Sequence, residues 1–359
     1  MHQPLRPKKE RVHTMQEYKV IGIDLAKTKF HIAALDRENK VVLKKMIRRK
    51  EFIEGLAKSY PEKQCFAFEA CAGAHYIGQE LLKRGYEVIM LKARDVKAYA
   101  KARQKNDIND AIAICKAGLD PELKRVRIKS KEEQEISYLH KSRSNVIAQR
   151  IEKSNSLITS LQEFGYIVEC AKAGFAKQCE QQVEKAYQEQ AIDEDTYAEM
   201  IKDCLEIQQL IEREKHLEKM LIAKNKESEK AQLLLSIPGI GPINASVLSN
   251  KGMDSYDSAR DFAASLGLVP KQNTTGGQIK LGSITKQGDR YARTMLIQGA
   301  RTIVMRCYKP NPPDNALYQF AQRLLEKGKR FNVVCVALAN KLARIAYACV
   351  INGRGFNPQ

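Results

Sequence analysis

Four acidic side chains stand where a folded chain gathers carboxylates at one point. Asp24 closes the apolar run of Val20, Ile21 and Ile23, and Glu69 closes the run Cys65-Phe66-Ala67-Phe68. Asp107 and Asp110 stand at a helix start, three residues apart and therefore on one helical face. Two strand ends and one helical turn converge readily at one edge of a sheet. Carboxylates so gathered raise one another's pKa, and hard divalent cations with oxygen ligands remove that penalty. The pattern therefore points to a metal centre for phosphoryl chemistry. The plainer alternatives are Asp107 as a helix N-cap and Asp24 as a turn residue.

A second group of residues offers an alcohol. Gly267 to Gly277 contains Thr274-Thr275-Gly276-Gly277, paired hydroxyls before paired glycines, and Lys271, Lys280, Lys286, Arg290 and Arg293 stand around it. The sequence predicts an exposed, mobile loop that presents a hydroxyl to a phosphodiester while cations offset the developing charge. By composition alone, a polar surface loop backed by a basic helix describes the same residues. Ser236-Ile237-Pro238-Gly239-Ile240-Gly241-Pro242 interrupts two apolar helical stretches in the manner of a helix-hairpin-helix turn. Gly239 and Gly241 there would let backbone amides approach a phosphate, or would simply turn the chain.

The elements that must carry these groups follow from periodicity. Val20–Asp24, Phe30–Ala34 and Val41–Leu43 alternate as an antiparallel meander. A helix over Lys50–Ser59, a strand over Cys65–Glu69, a helix over His75–Arg84 and a strand over Glu87–Leu91 follow. Helices are then predicted over Asp95–Arg103 and Asp107–Ala117. Strands alternating with helices after a meander give a mixed sheet flanked by helices, an α/β domain. Residues 131–230 contain no proline and two glycines, Gly165 and Gly174, with apolar stripes at helical spacing. They read as an all-α coiled-coil arm or a helical spacer. The remainder is mostly α. The expected division is a basic arm over 1–17, an α/β domain over 18–125, the arm over 126–230, a C-terminal domain over 231–350 and a tail over 351–359.

Composition narrows the partners. Sixty-one Lys and Arg against 42 Asp and Glu give a net charge of +19, which calls for a polyanion such as nucleic acid. Lys97, Lys101, Arg103 and Lys105 surround the acids and are placed to hold the scissile strand's backbone; Arg125, Arg127 and Lys129 lie at the domain junction. No apolar run approaches a bilayer span, so no membrane partner is expected, and the first residues are basic without the apolar core of a secretory signal. Nine cysteines without a CxxC pair argue against a zinc knuckle or a disulfide framework and fit a reduced, cytoplasmic protein, with Cys65, Cys115 and Cys335 as small core residues. Tryptophan is absent, so no base-stacking platform is evident, and Tyr76, Tyr86 and Tyr99 read as packing residues.

Three motifs carry a resemblance: Ile21-Gly22-Ile23-Asp24, Phe68-Glu69-Ala70-Cys71-Ala72-Gly73-Ala74-His75 and Lys105-Asn106-Asp107-Ile108-Asn109-Asp110-Ala111. In order and content they resemble the DEDD transposases of insertion sequences, a family that includes the Piv-type invertases and the bridge-RNA-guided recombinases. Leu268-Val269-Pro270, Gly276-Gly277, Ile284 to Asp289 and Ala337 to Arg344 resemble that family's second domain. The likeness runs through residues 18–350. It implies a RuvC-like, ribonuclease-H-type first domain whose Asp24, Glu69, Asp107 and Asp110 bind Mg2+. It also implies a C-terminal serine nucleophile, a covalent phosphoseryl intermediate, donor and target DNA, a structured bridge RNA and a homo-oligomer (dimer or tetramer). One departure stands out: the family commonly reads Ser-Thr-Gly-Gly or Ser-Ser-Gly-Gly where this chain has Thr274-Thr275-Gly276-Gly277. Thr274 then serves as the nucleophile, Thr275 substitutes, or the protein binds and assembles but recombines poorly.

Three functions fit the residues to different extents. A recombinase uses both constellations. A plain metal-dependent nuclease uses only the acids and leaves the hydroxyl segment without a role. A nucleic-acid-binding scaffold needs the charge alone, because phosphate neutralisation is independent of sequence.

Overall fold

The apolar runs of the first hundred residues form a five-stranded sheet, in order β3-β2-β1-β4-β5. Its strands are β1 (Val20–Leu25), β2 (Lys29–Leu35), β3 (Val41–Arg48), β4 (Cys65–Glu69) and β5 (Glu87–Leu91). The computed structural model describes residues 18–60, 63–100, 106–169, 174–275 and 278–357; the basic arm expected over 1–17 lies outside them. β1, β2 and β3 are antiparallel, as the meander predicts, while β4 pairs parallel with β1 and with β5. The chain divides into two compact units, the first ending at Lys131 and the second beginning at Glu132.

In the first unit the sheet is buried on both faces, and the alternation along each strand decides which residues go where. Ile21, Ile23, Phe30, Ile32, Phe66 and Phe68 pack on one face with Phe52 of α1 (Arg49–Ser59) and Ile77 and Leu81 of α2 (Ala74–Lys83). Val20, Ala33, Leu35, Ala67 and Leu91 face the other way, toward Ala111, Ile114 and Cys115 of α4 (Asp107–Gly118). Between β5 and α4 the helix expected over Asp95–Arg103 is a single turn, α3 (Ala93–Val96), followed by a 3-10 turn at Lys97–Tyr99. The backbone turns extended at Ala100, and the Tyr99 hydroxyl is tied to Asp120 beyond α4.

One contact sets the height of α4 on the sheet. A Cβ placed on Gly22 would lie 2.3 Å from the Ala111 carbonyl oxygen and 2.6 Å from Cys115 Sγ. Hydrogen fills that space instead, and the Gly22 N–H donates to Cys115 Sγ at 3.0 Å while the thiol lies 3.3 Å from the Ala33 carbonyl. Further along, a Cβ on Gly118 would meet Ala67 Cβ at 2.9 Å. α4 therefore runs antiparallel to β1, with its last turn near Val20 and its first turn near Asp24.

The second unit begins with long helices. α5 (Lys131–Glu163) and α7 (Glu194–Lys226) form an antiparallel pair joined through α6 (Phe175–Gln188). The two glycines of this stretch stand at helix ends: Gly165 (φ 88°) follows the last turn of α5 and Gly174 (φ 86°) is the N-cap of α6, each in the left-handed region that glycine tolerates. Leu139 and Val146 meet Leu217 and Leu221 in an apolar seam. Flanking it, Arg143 pairs with Glu214 and Glu218, Arg150 with Glu214, and Lys153 with Asp203 and Glu206.

The elements that follow are α8 (Glu229–Leu235), α9 (Pro242–Ser249), α10 (Ala259–Ser265), β6 (Pro270–Thr275), β7 (Gln278–Ile284), α11 (Arg290–Cys307), α12 (Ala316–Glu326) and α13 (Phe331–Asn352). By length and composition α13 suffices to cross a membrane, contrary to the expectation from the sequence, but Leu338, Ala339, Leu342, Ala343 and Ala346 are fully buried in the core of this unit. A polar knot holds the start of α11: His140 Nε2 lies 2.9 Å from Ser246 Oγ, and the Arg143 guanidinium donates to the Tyr291 hydroxyl at 3.3 Å. Burial lowers the His140 pKa to about 4, which keeps the ring neutral. No disulfide links the described cysteines; Cys115 and Cys335 are buried and Cys65 is half-buried.

Gly22→Ala forces α4 away from β1. The expected result is a loss of about 2 kcal/mol of unfolding free energy, read as a lower urea midpoint, and weaker divalent-cation binding. Unchanged stability would show that α4 does not depend on this contact.

Candidate functional site

The carboxyl edge of the sheet collects the acids by register. Ile23 pairs with Phe68 across the parallel β1–β4 ladder, so the next residues, Asp24 and Glu69, sit side by side and project toward the α4 face. The first turn of α4 carries Asp107 and Asp110 to the same place. The N-cap role open to Asp107 is filled by Asn106, whose side chain accepts from the Ile108 N–H at 2.8 Å. Both aspartates of the turn are thus released from capping.

The electrostatics record the crowding. Burial raises the Asp24 carboxyl above its ordinary range, and the charges of Asp110 and Asp107 raise it further, with His31 opposing. Burial likewise raises Glu69, reinforced by Asp24 and Asp110 and opposed by Lys97. Each acid is thus held against its neighbours' charge, the condition that a bound cation relieves. The oxygen donors suit a hard divalent ion, and the position is open enough for exchange, because Asp107 keeps 66% of its side-chain surface exposed.

Three further residues crowd the centre. His31 lies directly across the β1–β2 ladder from Asp24, with Nδ1 at 3.4 Å from Asp107 Oδ2. His31 is absent from the acidic pattern of the sequence, yet the alternation of β2 carries its signal: with Phe30, Ile32 and Ala34 on one face, His31 must share the face of Asp24. Cys71 follows Glu69; burial raises its thiol, as do Glu69 and Asp24, while Arg49 opposes them. The Arg49 guanidinium itself stands over the rings of Tyr76 and Phe30, 5.8 and 6.0 Å from their centroids. Lys97 acts on Glu69, whereas Lys101, Arg103 and Lys105 lie outside the described residues.

In the second unit the segment anticipated as a mobile loop is a β-hairpin. β6 and β7 pair antiparallel with Thr274 opposite Ile279 and Thr275 opposite Gln278; the connecting Gly276 and Gly277 lie outside the described residues. The hairpin escapes a sequence reading because Lys271, Gln272, Asn273, Thr274, Gln278, Lys280 and Leu281 are all exposed, so none of these described residues imposes a period of two. Thr274 presents its hydroxyl to solvent, with Oγ1 accepting from Gln272 Nε2 at 3.2 Å. Lys271 and Lys280 are exposed on the two strands of the hairpin, and Lys286 and Arg290 are exposed beyond its base.

Two expected phosphate contacts differ in the structure. Arg293 is buried, and its guanidinium donates to the Leu266 carbonyl at 2.9 Å and the Gln287 carbonyl at 3.3 Å. It clamps the hairpin base, where Gly288 (φ 81°) passes so close to Ser265 that any Cβ would strike its carbonyl oxygen. Gly239 (φ 84°) is met by α11, since a Cβ there would lie 2.9 Å from the Gly299 carbonyl, so helix packing occupies its approach. Gly241 caps α9, with open space beside it.

Comparison with known proteins decides the relationship. Residues 21–165 match a family described as a transposase, and residues 231–322 match the transposase IS116/IS110/IS902 family. A probable family 20 transposase of Pseudomonas aeruginosa is 37% identical over 342 residues, 94% of this chain and 98% of that one. The chain belongs to the IS116/IS110/IS902 transposase family. The transposase for insertion sequence element IS1328 of Yersinia enterocolitica is 34% identical over 96% of this chain and 100% of its own length. The pilin gene-inverting protein of Moraxella bovis matches more narrowly, at 29% identity over 36% of this chain and 39% of its own. Membership in this transposase family makes DNA the substrate and cutting and rejoining the activity.

The raised carboxyls fix the sign of the pH dependence. Asp24 and Glu69 bind protons more tightly folded than unfolded, so the divalent-free protein loses stability as pH rises from the ordinary carboxylate range through their elevated values. Asp110→Asn removes a charge that acts on both. In EDTA at neutral pH this variant is expected to be more stable than the parent, by up to about 1 kcal/mol because the half-exposed cluster is screened. It is also expected to gain less on adding Mg2+. Thermal denaturation with and without the ion checks both signs, and a variant less stable in EDTA would refute the repulsion.

Proposed function

We propose that this transposase cuts and rejoins DNA through a metal-assisted covalent intermediate on Thr274, with its cut sites chosen by a structured bridge RNA. The single observation that carries the metal reading is that register and helix placement bring Asp24 and Glu69 to one sheet edge with Asp107 and Asp110. The strand order and the placement of acids at the ends of β1 and β4 support a RuvC-like, ribonuclease-H-type reading of the first unit.

Asp24, Glu69, Asp107 and Asp110 would hold Mg2+, which when bound supplies Lewis-acid stabilisation of the phosphodiester's developing negative charge. The four acids fix the scissile phosphate's position through that charge, and Lys97 limits their net repulsion of the DNA backbone. The Thr274 hydroxyl supplies the nucleophile. Its oxygen forms a bond to phosphorus, the bond from phosphorus to one deoxyribose oxygen breaks, and the hydroxyl proton is lost to water. The released deoxyribose oxygen takes up a proton and becomes a free hydroxyl. Rejoining is the reverse reaction with the hydroxyl of another strand, so the energy of the broken ester is conserved in the threonyl ester. The exposed Lys271 and Lys280 on the hairpin, with Lys286 and Arg290 beyond its base, would offset phosphate charge along the bound strand.

Threonine at this position supports the same chemistry as serine with one difference: the extra methyl restricts χ1 and adds bulk at the attacking oxygen. The two long helices offer a surface through which a homo-oligomer would assemble, and the charge of +19 suits polyanionic partners.

The test uses the purified protein with the RNA that co-purifies and a nicked suicide DNA substrate. The parent is expected to form a protein–DNA adduct that resists denaturant and maps to Thr274 by mass spectrometry. Thr274→Ala and Asp24→Ala should each lower the adduct by at least about a hundredfold, and Thr274→Ser should retain or increase it. Hydrolysed DNA without an adduct would replace this reading by that of a metal-dependent nuclease. Recovery of random cellular RNA in place of one discrete species would remove the guide.

A further inference from the structure

We propose that His31 is itself a ligand of the metal centre, so that the position between Asp24, His31 and Asp107 is a mixed nitrogen–oxygen site that prefers Mn2+ to Mg2+. The inference rests on the reading of the acids as a metal centre and adds to it a residue outside the four-acid pattern.

Three independent features meet at this side chain. The first is register: His31 pairs with Asp24 across the antiparallel β1–β2 ladder, so both side chains leave the sheet on the same side, toward α4. The second is distance. One donor atom each from Asp24, His31 and Asp107 lie within 4.8 Å of one another, and His31 Nδ1 is 3.4 Å from Asp107 Oδ2. An octahedral ion with bonds of about 2.1 Å separates adjacent donors by about 3 Å and opposite donors by about 4.2 Å; the His31–Asp107 pair falls inside that span, and the whole set comes within a small side-chain adjustment of it. The third is the state of the ring. His31 Nδ1 is buried and has no hydrogen-bond partner, and the side chain is only 17% exposed.

A nitrogen in that position has two ways to coexist with two carboxylates. As an N–H it would draw Asp107 into a hydrogen bond, which the 3.4 Å separation does not make. As a bare lone pair it faces negative oxygen, which is repulsive until a cation lies between them. The second arrangement makes use of the geometry as it stands. Imidazole nitrogen is a better donor for Mn2+ and later divalent metals than for Mg2+, which prefers an all-oxygen shell. His31 therefore biases this position away from Mg2+, while Glu69 and Asp110 offer oxygen alone.

The experiment uses full-length protein and Mn2+ as the probe. Binding is followed by the electron paramagnetic resonance signal of free Mn2+, with Mg2+ as competitor, and ligand identity by pulsed spectroscopy on protein carrying natural or 15N-labelled histidine. The expected result is a nitrogen coupling to bound Mn2+ that changes with the label and vanishes in His31→Asn. In that variant the Mn2+ dissociation constant should rise about tenfold, with the Mg2+ constant rising less than about threefold and the circular dichroism spectrum unchanged. If His31→Asn fails to fold, the labelled parent protein decides the matter alone. Bound Mn2+ without nitrogen coupling would overturn the role of His31 and leave the four-acid centre standing, whereas no Mn2+ binding by the parent would overturn both.

Discussion

The close approach of α4 to β1 at Gly22 is the contact on which the rest of the acidic centre depends. A helix normally stands about a side chain's length from the sheet it covers. Here the missing Cβ lets the backbone at Ala111 and the thiol of Cys115 descend onto the strand, and the Gly22 N–H to Cys115 Sγ hydrogen bond fixes the register along it. Ala111 follows Asp110 directly and lies one turn beyond Asp107. The same contact that packs the helix therefore delivers both carboxylates to the end of β1, where Asp24 already stands. Apolar burial on both faces of the sheet holds the arrangement against the repulsion it creates.

That repulsion is the second organising fact. Stability alone would disperse four acids from β1, β4 and α4, and burial raises Asp24 and Glu69 before their neighbours' charges raise them further. The fold accepts the cost at one edge and offsets it locally, with Lys97 near Glu69. The second unit distributes charge differently. Its long helices carry mixed-sign ion pairs along their shared seam, while the hairpin leaves its lysines exposed and commits only Arg293 to structure. The paired cations thus stand where helices must hold their register.

Much of this was legible in the residues. The meander, the strands over Cys65–Glu69 and Glu87–Leu91, and the helix from Asp107 rest on apolar alternation and on helix start signals that local sterics and burial enforce. The long helices follow from a hundred residues without proline, with glycine only at helix boundaries. The polar hairpin over Pro270–Ile284 was not legible, because Lys271 to Thr274, Gln278, Lys280 and Leu281 are all exposed and nothing in their composition distinguishes a ladder from a loop. The helix expected over Asp95–Arg103 shortened to one turn because the apolar pattern carries no information about where the chain must turn extended, as it does at Ala100.

The sequence by itself determined the identities and order of the acids, the basic charge, the α/β start and the helical remainder, because those depend on side-chain chemistry and on contacts a few residues long. Only the tertiary structure decided which groups meet. The parallel pairing of β1 with β4, more than forty residues apart, sets Asp24 beside Glu69, and the depth of α4 at Gly22 brings Asp107 and Asp110 to them. The inclusion of His31 and the withdrawal of Arg293 into the hairpin base have the same origin. Each is a consequence of register and packing between distant segments, which no local pattern encodes.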